Sequence, residues 1–155
     1  MAKMITIMMI LSIVNAACHP HKVQIAVTLP KQGIVGTVLQ LTGNRMPAKN
    51  AKPSKPKAIS TTVYVYEKTN ISQTTRLGSG ATYTAIHTHQ VASVITDSLG
   101  KFMFLLPVGS YSLFIQKQNG YYANSFDANN NINVVVVEKD KLTAVTITDS
   151  EGATF

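Results

Sequence analysis

Thr96-Asp97-Ser98-Leu99-Gly100-Lys101-Phe102-Met103-Phe104-Leu105-Leu106-Pro107-Val108-Gly109-Ser110-Tyr111-Ser112-Leu113-Phe114-Ile115-Gln116-Lys117 is the stretch that decides the fold. Lys101 to Leu106 reads as a strand, Pro107-Val108-Gly109 as a turn, and Ser110 to Lys117 as a strand running back. The preceding Asp97-Ser98-Leu99-Gly100 is a tight connection, because Asp hydrogen-bonds its own backbone and Gly takes positive φ. Phe102, Phe104, Tyr111, Leu113 and Ile115 give this predicted hairpin a large apolar inner face that a second sheet must cover.

Outward from the hairpin, short β-rich runs alternate with turn signals, the pattern of a sandwich or barrel. Gly33 to Thr42 is a first strand, ended by Gly43-Asn44. Residues 44 to 60 form a flexible basic loop, rich in Pro and Lys and too poor in apolar residues to cover a core. Thr61 to Glu67 is a strand with Val63 and Val65 on one face and Tyr64 and Tyr66 on the other. Lys68 to Gly80 is a polar loop, and Thr82 to Thr96 is a strand region broken near His87. A loop from Tyr121 to Asn131 leads to a final pair, Ile132 to Glu138 and Leu142 to Thr148, joined across Lys139-Asp140-Lys141. Val134 to Val137 lacks alternation, which predicts a strand covered on both faces and central in its sheet. The composition agrees with an all-β domain: 45% of residues are hydrophobic and 14% charged, with Val, Thr, Ile and Tyr prominent.

The N-terminus carries one positive charge at Lys3, an apolar run from Met4 to Val14, and the small residues Ala16 and Ala17 before Cys18. This is the three-part layout of an export signal, and the apolar run is about half of the ~20 residues a membrane-spanning helix needs. Cys18 is the one cysteine of the chain, so it has no internal disulfide partner. Val14-Asn15-Ala16-Ala17-Cys18 resembles the lipobox of bacterial lipoproteins in the relaxed form found in the Bacteroidota, although Asn15 stands where an aliphatic is usual. The resemblance implies a signal peptide over residues 1–17, lipidation at Cys18, and a lipidated tether over 18–31 ahead of a domain at 32–150. His19-Pro20-His21-Lys22 has neither an acidic surface-export motif nor an Asp after the cysteine, so outer-membrane attachment facing the periplasm is the default expectation.

The net charge of +7 is concentrated in Arg45, Lys49, Lys52, Lys55 and Lys57, while most acids lie beyond residue 96. Nucleic-acid readers interleave such charge with aromatics or set it along a helix. Here Pro47, Pro53 and Pro56 interrupt it, so the run reads as a solvated loop and no nucleic-acid partner is expected.

Gly33-Ile34-Val35-Gly36-Thr37-Val38, Gly43-Asn44-Arg45-Met46-Pro47, Val63-Tyr64-Val65-Tyr66-Glu67, Thr96-Asp97-Ser98-Leu99-Gly100-Lys101-Phe102 and Leu106-Pro107-Val108-Gly109-Ser110-Tyr111-Ser112-Leu113-Phe114, in that order, resemble the carboxypeptidase regulatory-like domain. The resemblance spans residues 33 to 148. It implies a transthyretin-like (prealbumin-like) Greek-key β-sandwich of about seven strands that does no chemistry of its own.

Candidate sites are few. Asp127, Asn129, Asn131 and Glu138 match positions 1, 3, 5 and 12 of a calcium loop, but Ile132 stands where that loop needs Gly, so a polar loop is expected and no metal. His87 and His89 would share one strand face, yet no third ligand can be named for them or for the tether pair His19 and His21. No Ser or Thr lies in a triad or elbow context, and no carboxylate pair stands out. Asp97-Ser98-Leu99 resembles the acceptor motif of Bacteroidota O-glycosylation, which would place a glycan on Ser98. The expectation is therefore a non-enzymatic, lipid-anchored envelope protein without a cofactor, an accessory binding or structural module whose partner is an envelope protein or glycan. The alternative is a carbohydrate- or peptide-binding module with Tyr64, Tyr66, Tyr121 and Tyr122 as an aromatic platform. A secreted hydrolase would instead need a concave pocket with convergent polar groups.

Overall fold

The computed structural model describes residues 31–46 and 54–155. The export signal, Cys18, the tether as far as Pro30 with His19 and His21, and residues 47–53 of the basic loop lie outside the described residues.

Among the described residues the chain is all-β, a pair of sheets packed face to face. Its strands are β1 (Gly33–Asn44), β2 (Lys57–Ala58), β3 (Thr62–Glu67), β4 (Thr74–Arg76), β5 (Thr82–Ile86), β6 (Gln90–Ile95), β7 (Lys101–Leu105), β8 (Gly109–Lys117), β9 (Gly120–Tyr122), β10 (Val134–Val137) and β11 (Leu142–Thr154), with one 3-10 turn at Ile71–Gln73. In the smaller sheet β1 is central. It pairs parallel with β11 on one side, and antiparallel with β7 and then β2, end to end, on the other. The larger sheet runs β4-β5-β9-β8-β3-β6, with β10 also against β8.

The predicted hairpin is not one. β7 pairs with β1 and β8 pairs with β3, so the chain changes sheets at Pro107-Val108. Both strands carry large side chains on one face. Set opposite each other instead of side by side, they bury Phe102 and Phe104 against Tyr111, Leu113 and Ile115 in one core, which removes far more apolar area from water than a ladder between them would. Pro107 has no N–H to give to a ladder, and its carbonyl accepts from the Tyr111 hydroxyl at 3.0 Å. The expected final pair divides in the same way, β10 going to β8 and β11 to β1.

Further expectations change. Val134 to Val137 is not central: β10 pairs with β8 alone, and Val136 is 52% exposed. The strand covered on both faces is β8, where Tyr111 through Ile115 are all buried. Its second cover is an outer core in which Phe114 packs with Tyr66, Tyr83, Ala123 and Ile132, with Tyr64, Ile71, Ile86 and Tyr121 partly buried against them; Ile71, Tyr121 and Ala123 come from segments that read as loops. The first strand also runs further than Thr42, and the last further than Thr148, because each extends the other: Thr42 pairs with Gly152 and Asn44 with Thr154. The ends of the basic loop are hydrogen-bonded to the smaller sheet. Lys57 and Ala58 pair with β1, Arg45 N donates to Thr154 O at 2.8 Å, and Ser54 Oγ donates to Thr42 O at 2.7 Å.

The turn ahead of β7 and the break near His87 agree with the sequence. Asp97 Oδ1 accepts from Leu99 N at 2.9 Å and Lys101 N at 2.8 Å, and Gly100 sits at φ +70°. β5 ends at Ile86 and β6 begins at Gln90.

Candidate ligand cleft

Inward-facing positions alternate along each strand. On β8 they are Tyr111, Leu113, Ile115 and then Lys117. On β11 the series passes Val145 and Ile147 to Asp149, and on β1 it passes Ile34 and Val38 to Gln40. All three series turn polar at the same end of the sandwich, and there the sheets part into a cleft of about 700 Å³ lined in part by Gln40, Thr82, Lys117, Asn119, Asp149 and Glu151. Ile59 and Leu77 add apolar wall.

The cleft's charges form one network. Lys117 Nζ lies 2.8 Å from Asp149 Oδ2 and 2.8 Å from Glu151 Oε2. Gln40 Nε2 donates to Asp149 Oδ2 at 3.3 Å, Glu151 N donates to Asp149 Oδ1 at 3.2 Å, and Thr82 Oγ1 donates to Glu151 Oε1 at 3.0 Å. The Lys117 ammonium also stands 5.5 Å from the centre of the Tyr122 ring, a cation–π distance. Asp149 is 1% exposed, a buried carboxylate that needs its cation, whereas Glu151 is 51% exposed at the mouth. Burial alone would push the Lys117 ammonium down. Hydrogen bonds to Asp149 and Glu151 outweigh that and hold its pKa above the ordinary value. Lys117 is therefore a charged donor to both carboxylates.

The four tyrosines divide. Tyr64, Tyr66 and Tyr121 gather on the outer face of the larger sheet, with ring centroids 5.2 Å apart for Tyr64 and Tyr121 and 6.1 Å for Tyr66 and Tyr121, both edge to face. Tyr122 points the other way, into the core between the sheets, where its hydroxyl meets Ser150 Oγ at 3.0 Å. Tyr66 is 5% exposed and donates to Gln90 Oε1, and the Tyr64 hydroxyl donates to Gln116 Oε1. Burial first, and then the neighbouring phenol of Tyr121, push the Tyr66 phenol well up. Three rings locked edge to face against one another are a packed layer rather than a flat stacking surface.

Ser98 lies exposed at its turn, as the acceptor reading requires. His87 and His89 are exposed and sit in the link between β5 and β6, so they do not share a strand face. His87 Nε2 meets Thr75 Oγ1 at 3.1 Å. The Asp127 carboxylate is occupied by its own loop, accepting from Asn129 N, Asn131 N and Asn131 Nδ2 at 2.8 to 2.9 Å. Among the described residues no three His, Cys, Asp or Glu side chains come together as a metal site would need. Sequence reading missed Gln40, Thr82, Lys117, Asp149 and Glu151. The signal was there in part: Lys117 and Asp149 are charges of opposite sign at inward positions of two apolar series.

In comparisons with protein-family models, curated proteins and solved structures, the chain finds no match.

Proposed function

We propose that this chain is a lipid-anchored, non-enzymatic module of the bacterial envelope, which holds a ligand in the end cleft at a distance from the membrane. The observation that carries this reading is the placement of the cleft relative to the point where the chain joins the domain. Gln32 O accepts from Leu106 N and Gly33 N donates to Lys141 O, so the tether arrives at the opposite end of β1 from Gln40. Seven residue steps along the strand separate Gly33 from Gln40, a rise of about 23 Å. A domain held through Cys18 would receive its tether at the end away from the cleft, which leaves the cleft mouth clear of the point of attachment and open to envelope partners or glycans.

Carboxypeptidase regulatory-like, transthyretin-like membership is part of the same proposal. With the short β2, β4, β5 and β9 set aside, seven strands remain, in sheets β7-β1-β11 and β6-β3-β8-β10. The chain changes sheets after β1, β6, β7 and β10, and connections of this kind support a Greek-key reading. Ser98, exposed at its turn, is the proposed glycan acceptor.

Mass analysis of the mature protein extracted from membranes tests the anchor. The expected N-terminal peptide begins at Cys18 and carries acyl chains, and Cys18→Ala leaves the protein unprocessed and unacylated. A mature N-terminus elsewhere, or a free Cys18 thiol, overturns the reading.

A further inference from the structure

We infer that the cleft selects a neutral, polyhydroxylated ligand, a short saccharide, over charged ligands of either sign. The inference rests on reading the cleft as a binding site, and it is independent of the anchor.

The charge arrangement carries the argument. Lys117 stands between Asp149 and Glu151, 2.8 Å from each, so the three groups sum to one negative charge with the ammonium in the middle. An anion approaching Lys117 meets two carboxylates already in place. A cation approaching Glu151 meets the ammonium that Glu151 already holds, and displacing it would leave the buried Asp149 without a partner. A neutral ligand incurs neither cost.

The remaining hydrogen-bond capacity points to hydroxyls. Each Glu151 oxygen has one partner and room for a second, and Lys117 has a third N–H beyond its two carboxylate bonds. The amide oxygen of Gln40 has no partner among the described residues, and Gln118 and Asn119 are exposed on the rim. Donor and acceptor therefore stand side by side at Lys117 and Glu151, with Thr82 Oγ1 donating to Glu151 Oε1 at 3.0 Å. Vicinal hydroxyls, each both donor and acceptor, match such a pair. A peptide backbone spaces its N–H and C=O groups along a strand and binds best at a sheet edge. Ile59 and Leu77 offer apolar wall to the C–H faces of a sugar ring, and about 700 Å³ lies within the range of pockets that enclose small ligands.

The test is a titration of the mature chain carrying Cys18→Ser, followed by backbone amide resonances. The neutral probes are maltotriose, cellobiose and N,N'-diacetylchitobiose, and the charged ones are glucose 6-phosphate and spermidine. A neutral tripeptide completes the set. The expected result is a saturable shift of amides at residues 40, 82, 117–119 and 149–151 with at least one neutral saccharide, and none with the charged probes. Glu151→Gln, at a half-exposed position, weakens that binding by about tenfold, the size of one lost charge-assisted hydrogen bond. Asn119→Ala, on the rim, weakens it less and leaves the fold intact. Preferential binding of a charged probe or the tripeptide, or no saccharide shift at millimolar concentration, overturns the inference. Binding of a charged probe or the tripeptide would still leave the anchored-module reading standing. An unacylated Cys18 would instead overturn the anchor and leave this titration unchanged.

Discussion

Lys117 Nζ lies 2.8 Å from Asp149 Oδ2, and this bond joins β8 of the larger sheet to β11 of the smaller one at the end where the apolar core stops. Removing the ammonium leaves a carboxylate that is 1% exposed with only Gln40 and the Glu151 N–H as donors. Lys117→Met should lower unfolding free energy by about 3 kcal/mol, the cost of breaking a buried pair from one side. Lys117→Met with Asp149→Leu should recover most of it, because no charge is then left stranded. Urea denaturation of the three proteins measures both, and equal stability of single and double variants would refute the pairing.

The same bond sets an alkaline limit. The folded pKa of Lys117 is raised, so its contribution is complete below the unfolded value of 10.5 and is lost as pH rises through the folded one. Tyr66 acts in the same direction: its phenol is raised from 10.0 by burial, which favours the neutral form in the fold. Melting temperature should therefore not fall through loss of these contributions until pH passes about 10. Lys117→Met and Tyr66→Phe should each shallow the alkaline fall. An alkaline limb untouched by both substitutions would contradict this assignment.

Phe114 tests whether the outer core is structural. Alternation on β8 puts it on the face away from the inter-sheet core, yet it is fully buried, edge to face with Tyr66 at 5.6 Å and Tyr83 at 5.7 Å. Phe114→Ala should cost about 3–5 kcal/mol, as for any large core truncation. A solvent-facing aromatic would cost well under one.

These two cores separate what the sequence made legible from what it did not. Strand positions and inward faces were readable, because alternation and turn chemistry are local: Asp97 and Gly100 build the predicted turn, and Phe102, Phe104, Leu113 and Ile115 are buried as expected. Which strand pairs with which was not readable, since Pro107-Val108 serves equally as a hairpin turn or as a crossing between sheets, and only the facing layer decides. The double cover of β8 was hidden because part of it, Ile71, Tyr121 and Ala123, comes from segments that read as loops. Tyr64 and Tyr66 share the face that alternation assigns them, whereas Tyr122 takes the side of the sheet opposite to Tyr121, which a reading of both as one platform does not anticipate. The cleft was legible only as Lys117 and Asp149 on inward parity; Glu151 and Thr82 join it through the extension of β11 and the position of β5, which are tertiary outcomes.

Ser112 makes a smaller, sharper test. Its Oγ accepts from the Thr69 N–H at 2.9 Å, and both residues are fully buried. Ser112→Ala leaves that N–H without an acceptor, at a cost of about 1–3 kcal/mol. Amide exchange at Thr69 should accelerate in parallel. Unchanged stability and exchange would mean that another group takes over the bond.

Two glycines separate conformational cost from steric cost. Gly100 and Gly78 both have positive φ, +70° and +64°, but a Cβ on Gly100 would fall 2.5 Å from Val38 O while one on Gly78 meets nothing within 4 Å. Gly78→Ala should cost about 1–2 kcal/mol, the left-handed penalty alone. Gly100→Ala should cost clearly more, because Val38 is fixed on both sides: its N–H donates to Gly100 O at 2.8 Å and its carbonyl accepts from Ile59 N. Thermal denaturation ranks the two, and equal costs would argue that the turn shifts to accommodate the methyl.

Asp127 decides what its loop is for. Its folded pKa is lowered, first by the Asn131 side chain and backbone N–H, and, against the opposing effect of desolvation, further by Asn129 N and Lys68. A depressed carboxylate contributes above its unfolded value of 3.8 and loses that contribution as pH falls through the folded one. The amides of Asn129 and Asn131 should thus stay protected at neutral pH and lose protection only as pH falls below 3.8. Asp127→Ala should remove that protection at every pH, while added calcium should leave the wild-type amides unmoved, since the oxygens a cation would need are already turned to N–H donors. Calcium-dependent shifts at these amides would show that the loop rearranges to bind a metal, and would refute the reading of the carboxylate as an internal cap.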